Sequence, residues 1–88
     1  MTLRIEIISE NVGTTIKLIG RLQQDHLEEL AALIQKSISR ITLDLEQLNL
    51  LDVEGVRFLA ELQKKGVLIV RGTTYMMDWI SIERYGGK

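Results

Sequence analysis

Leu3, Ile5 and Ile7 alternate with Arg4 and Glu6, the two-residue period of a strand with one wet face. A turn follows at Ser9-Glu10-Asn11-Val12-Gly13, where Asn11 and Gly13 can take positive φ. Thr15-Ile16-Lys17-Leu18-Ile19, rich in β-branched side chains, is the returning strand, so the first twenty residues predict an antiparallel hairpin. Gly20, ahead of Arg21 and Leu22, suggests a bulge or a close backbone approach.

The period then changes. Leu27, Leu30, Ala31, Ile34 and Ile38 fall on one helical stripe, with Glu29 and Lys36 opposite, which predicts a helix from Asp25 to Ser37 that packs by one side. Asp25 and Glu28 have the spacing of a capping box. Ile41, Leu43 and Leu45 form one side of a third strand, and Asn49-Leu50-Leu51 reads as a short link to a second helix from about Val53 to Lys65. Asp52 is its expected N-cap, Glu54 complements the helix dipole, and Gly66 is the expected terminating glycine. Gly55, Val56, Leu59 and Leu62 share one face; Glu54, Arg57, Glu61, Lys64 and Lys65 share the other.

Val67-Leu68-Ile69-Val70 is wholly apolar, as for a parallel strand covered on both faces. From Thr74 to Arg84 a weaker helix gathers Tyr75, Met76, Trp79, Ile80 and Ile82 on a broad stripe and leaves Met77 beside it, with a frayed Gly86-Gly87-Lys88 end. The order β-β-α-β-α-β-α predicts an α/β domain spanning residues 1–88. Its expected architecture is a mixed sheet of four to five strands, with an N-terminal antiparallel hairpin and helices mainly on one side.

Composition narrows what such a domain does. With 88 residues there is room for one domain, and 45% hydrophobic against 26% charged side chains is an ordinary globular balance. Eleven basic and twelve acidic side chains give a net charge of -1, which argues against nucleic acid as a partner, since that needs a basic surface. Cysteine is absent, excluding disulfides and thiolate metal sites. No apolar run approaches the ~20 residues that span a bilayer, so no direct membrane insertion is expected and the protein is read as cytosolic. On the first strand, Arg4 and Glu6 blunt edge pairing without excluding a dimer.

Candidate chemistry is sparse. The lone His26, in the first turn of a helix, has no companion at metal-ligand spacing and reads as a partly exposed surface residue. Asp44, Glu46, Asp52 and Glu54 cluster along the chain and could be imagined as an acid pair or a magnesium site. The plainer reading is that Asp52 caps, Glu54 faces the dipole and the others are solvated. No glycine-rich phosphate loop is present, and no catalytic residue, metal site or cofactor is expected. Met76, Met77 and Trp79 at helical spacing read as core, with Met77 the exposed exception.

The stretch from Ile41 to Val56, an apolar strand ending in Asp44-Leu45, a short link, then Asp52-Val53-Glu54-Gly55 opening a helix, resembles the centre of STAS domains, the family of anti-sigma-factor antagonists. In that family the helix opens with Asp-Ser-Ser/Thr-Gly. Gly20-Arg21-Leu22 is similar to the family's Gly-x-Leu-Asp, with Gln23 in place of Asp, and the element order agrees over essentially the whole chain. The resemblance implies a non-catalytic protein-interaction module in bacterial partner switching, whose partner is an anti-sigma factor with serine kinase activity or another STAS-containing protein. In such systems phosphorylation of the residue after the Asp breaks the complex. Here that position is Val53 and the next is Glu54, so the usual phosphoacceptor is missing and only the binding half of the switch is implied.

Val53 shares the polar helix face with Arg57 and Lys64. It is either an incidental surface valine or the dry centre of a partner contact, with Asp52, Glu54, Gly55, Arg57 and Glu61 around it. The family analogy favours the second. The alternative function is a small STAS-like cytosolic subunit that binds an ABC-type transporter ATPase.

Overall fold

The computed structural model describes residues 3–36 and 40–86. Strand β1 (Leu3–Glu10) turns at Asn11-Val12 into β2 (Gly13–Leu22), and the two pair antiparallel from Leu3 opposite Gly20 to Glu10 opposite Gly13. Strand β3 (Ile41–Asp44) lies parallel to the first half of β2, with Leu43 opposite Ile16. Strand β4 (Leu48–Leu51) lies parallel to the second half, with Leu22 opposite Leu51. β5 (Leu68–Val70) pairs parallel to β3 on its far side. The result is the expected α/β architecture with a mixed, five-stranded sheet.

Strand β4 occupies the link expected between the third strand and the second helix. After β3 the chain jogs: Asp44 Oδ1 accepts from the Glu46 amide at 2.9 Å, and the Leu48 amide returns to the Leu45 carbonyl at 3.0 Å. β2 then takes up the chain again, its Gly20 amide donating to Gln47 O at 3.1 Å. Gly20 faces Leu48 while Arg21 faces Leu50, so Asn49 is the extra residue of a bulge, and Gly20 takes φ 101° there. The bulge expected at Gly20 is therefore present, with its inserted residue on the partner strand.

Alternation along the strands places Ile16, Leu18, Ile41, Leu43 and Ile69 on one sheet face, all buried. Against them pack Leu30 of α1 (Leu27–Lys36), Val56, Leu59 and Leu62 of α2 (Val53–Lys64), and Met76 and Ile80 of α3 (Thr74–Gly86), in one core. The opposite sheet face is open. Leu68 is exposed there, which corrects the expectation that β5 is covered on both faces: the strand is an edge with helices on one side only.

Two further details differ from expectation. A short 3-10 turn, Gln24–His26, precedes α1, so the Asp25–Glu28 box does not start the helix. The turn closes instead through His26 N to Gln23 O at 2.9 Å and Gln23 N to His26 Nδ1 at 3.4 Å. The expected last residues of that helix, Ser37 and Ile38, lie outside the described residues, as do Gly87 and Lys88 of the expected frayed end. On α3, Tyr75 and Ile82 are exposed, whereas Met77 is half-buried against the core. The buried stripe is centred on Met76 and Ile80, and Met77 packs against Gly72, where a Cβ would lie 2.9 Å from its sulfur.

The end of α2 is as expected. The Gly66 amide reaches Gln63 O and the Val67 amide reaches Leu62 O, both at 3.0 Å, with Gly66 at φ 99°. This is a Schellman ending, which needs a residue without a Cβ penalty at positive φ. Among the described residues no helix is long and apolar enough to cross a membrane.

Candidate partner-binding surface

The start of α2 is organised by Asp52. Its backbone is extended, and Oδ1 accepts from the Gly55 amide at 2.8 Å, the N-cap geometry expected from the sequence. Oδ2 reaches across the fold and accepts from the Gln24 amide at 3.1 Å. One carboxylate thus opens α2 and ties it to the loop leaving β2. The Asp52 amide donates in turn to Leu22 O at 3.3 Å, which sets the helix start directly on the end of β2.

Gly55 fits that close approach. A Cβ at this position would lie 2.9 Å from Leu51 Cδ1 and 3.1 Å from the Leu22 carbonyl oxygen. Gly55 is buried, so it shapes the helix start from below and presents nothing to a partner directly.

Val53, in contrast, is the first residue of the helix and is 44% exposed. An apolar side chain there gains little from the protein's own core. Around it the charged residues are organised in pairs. Arg57 Nη1 lies 3.5 Å from Glu54 Oε2, and Arg57 Nε lies 3.7 Å from Glu83 Oε1 of α3. Glu61 pairs with Lys64 at 3.4 Å, one turn further along. Exposed pairs of this kind contribute ~0–1 kcal/mol each, so they orient side chains more than they stabilise the fold. The candidate surface comprises exposed Val53 at the helix start, Asp52 and Glu54 on either side of it in sequence, and a charged rim of Arg57 and Glu61 one and two turns further along α2.

Glu83 joins that rim and was not anticipated. Its charge was legible in the chain, but its place beside Arg57 depends on how α3 packs along α2, which periodicity does not specify. Arg84 is drawn to the same seam, with Nη1 3.4 Å from Gln63 Oε1.

The four carboxylates from Asp44 to Glu54 do not converge. Asp44 is buried, not solvated as expected, and Arg71 Nε lies 3.5 Å from its Oδ2. Glu46 faces the same guanidinium at 3.8 Å. Asp52 and Glu54 are engaged at the helix start, as above. Among the described residues no group of three or more His, Cys, Asp or Glu side chains is placed to hold a metal ion. His26 is half-buried, with Nδ1 accepting from the Gln23 amide, a local turn contact.

Asp52 and Glu54 also give the helix start a negative character, so a free phosphate meets two carboxylates where a helix dipole alone would attract it. Compared with protein-family models and with curated proteins, the chain has no match.

Proposed function

We propose that this protein is a non-catalytic interaction module of the partner-switching type, resembling an anti-sigma-factor antagonist, and that the start of α2 is its binding surface. The observation that carries the reading is Val53. It stands at the first position of a capped helix and is exposed, next in sequence to Glu54, which is paired with Arg57 one turn on. A partner that covers it removes an apolar group from water without stripping an unpaired charge.

The same position is the phosphoacceptor in the family that the sequence resembles. A phosphate there adds about two negative charges to a packed contact and disrupts it. Valine has no hydroxyl to modify, so on this reading the module binds constitutively, and any switching is done by the partner. The order of elements and the mixed sheet support the reading at the level of fold, which is compatible with many functions.

The test is affinity capture with the wild-type protein beside Val53→Asp, read by mass spectrometry. A serine-kinase anti-sigma factor, or another STAS-containing protein, retained by wild type and lost with Val53→Asp is the expected result. Retention of a transporter ATPase moves the protein to the ATPase-subunit alternative. A partner held equally by both variants overturns the placement of the surface.

A further inference from the structure

The long free edge of the sheet is β1, eight residues whose inner side pairs with β2 and whose outer side meets no strand among the described residues. Edges of this kind are normally blunted by charged side chains, prolines, bulges or covering loops, but opposite charges in the right register can instead pair across two copies. Here the edge carries Arg4, Glu6 and Glu10 on the open face of the sheet, with Arg4 Nη2 2.8 Å from Glu6 Oε2. Its other face carries Leu3, Ile5 and Ile7, of which Ile7 is 50% exposed although it belongs to the core-facing row.

We propose that β1 is the interface for a second copy of this chain, two β1 strands pairing antiparallel about a two-fold axis perpendicular to the sheet, with Ile5 opposite its own counterpart. Such an axis keeps both helical layers on the same side. It also brings residues of the same face opposite one another, so only registers whose paired residue numbers add to an even total are allowed.

Among those registers the charges choose. With Ile5 at the axis, Arg4 faces Glu6 of the second copy and Glu6 faces Arg4, while Leu3 faces Ile7. Glu6 already lies opposite Lys17 on β2, so charges alternate in sign across the joined sheet from Lys17 to Glu6 to the second copy's Arg4. Moving the axis to Arg4 sets two arginines face to face, and moving it to Glu6 sets two glutamates face to face. Both are unfavourable for directly opposed side chains. With the axis at Ile7, Arg4 faces Glu10, but Ile5 then meets Ser9 and Ile8 meets Glu6. Of these four the axis at Ile5 alone satisfies both faces, and it covers Ile7; an axis at Ile8 would set Glu6 against Glu10. The contact is one strand wide, so the dimer is concentration-dependent and not obligate.

Charge reversal tests this and the register together. Wild type, Arg4→Glu and Glu6→Arg are each examined by sedimentation equilibrium over a concentration series, with far-UV circular dichroism confirming the fold. Wild type is expected to dimerise at high concentration, and each variant to remain monomeric because like charges then oppose. An equimolar mixture of the two folded variants is expected to regain the dimer. In the mixed pair both carboxylates of the Arg4→Glu chain, at positions 4 and 6, face the two guanidinium groups of the Glu6→Arg chain. A monomeric wild type, variants as dimeric as wild type, or a mixture that stays monomeric each overturns the proposal. None of these outcomes depends on the surface at Val53.

Discussion

Replacing Asp52 by alanine removes two interactions at once. The first is the N-cap bond to the Gly55 amide, at 2.8 Å. Loss of such a cap costs about 1 kcal/mol, within a range of ~0.5–2. The second is the bond from the Gln24 amide, at 3.1 Å in an exposed setting where water takes over the donor, so its loss adds only about 0.5 kcal/mol. The carboxylate's interaction with the helix dipole overlaps with the cap and is not added again. The total is about 1.5 kcal/mol, which for a domain of this size lowers Tm by roughly 6–12 °C. Asp52→Asn keeps an acceptor for Gly55 but turns a donor toward Gln24, so it is expected to lose about half as much. The assay is urea unfolding with a common m-value, backed by thermal melts. A loss below about 0.3 kcal/mol for Asp52→Ala, or an Asn variant as unstable as the Ala variant, refutes the assignment of Asp52 as the dual anchor of the helix start.

Two other substitutions separate structure from binding. Asp44→Ala is expected to cost about 1–3 kcal/mol, because a buried acceptor of the Glu46 amide and of Arg71 disappears, whereas Asp44→Asn should cost less; urea unfolding measures both. Val53→Ser should leave stability within about 0.5 kcal/mol, since the side chain is 44% exposed. If the captured partner is a serine kinase, Val53→Ser is expected to accept phosphate in vitro while wild type accepts none at this position, and mass spectrometry of the helix peptide decides.

Elements governed by a local period were readable from the chain. The hairpin, α2 with its Asp52 cap and its Gly66 ending, and the buried row Val56, Leu59 and Leu62 follow from alternation, helical spacing and end signals confined to neighbouring residues. What was missed depends on partners distant in sequence. β4 is a strand because the second half of β2 offers it a parallel edge, and nothing in Leu48-Asn49-Leu50-Leu51 announces that neighbour. Asp44 looked solvated because its ion-pair partner Arg71, just past β5 at φ 65°, is distant in sequence. Apolar Val67–Val70 suggested two covered faces, yet β5 joins the sheet at an edge, and composition alone does not tell a buried strand from a one-sided one. At the candidate site, the capping role of Asp52 and the exposure of Val53 were readable from one helix alone. Glu83 required the packing of α3, and the burial of Gly55 required the carbonyl of Leu22.

The central claim is that a protein partner docks on the start of α2, and amide NMR of the labelled protein titrated with that purified partner tests it most directly. Shifts concentrated at Asp52–Glu61 and at Glu83, absent when Val53→Asp is titrated, are the predicted result. Shifts confined to the open sheet face, with the α2 amides unmoved, contradict it.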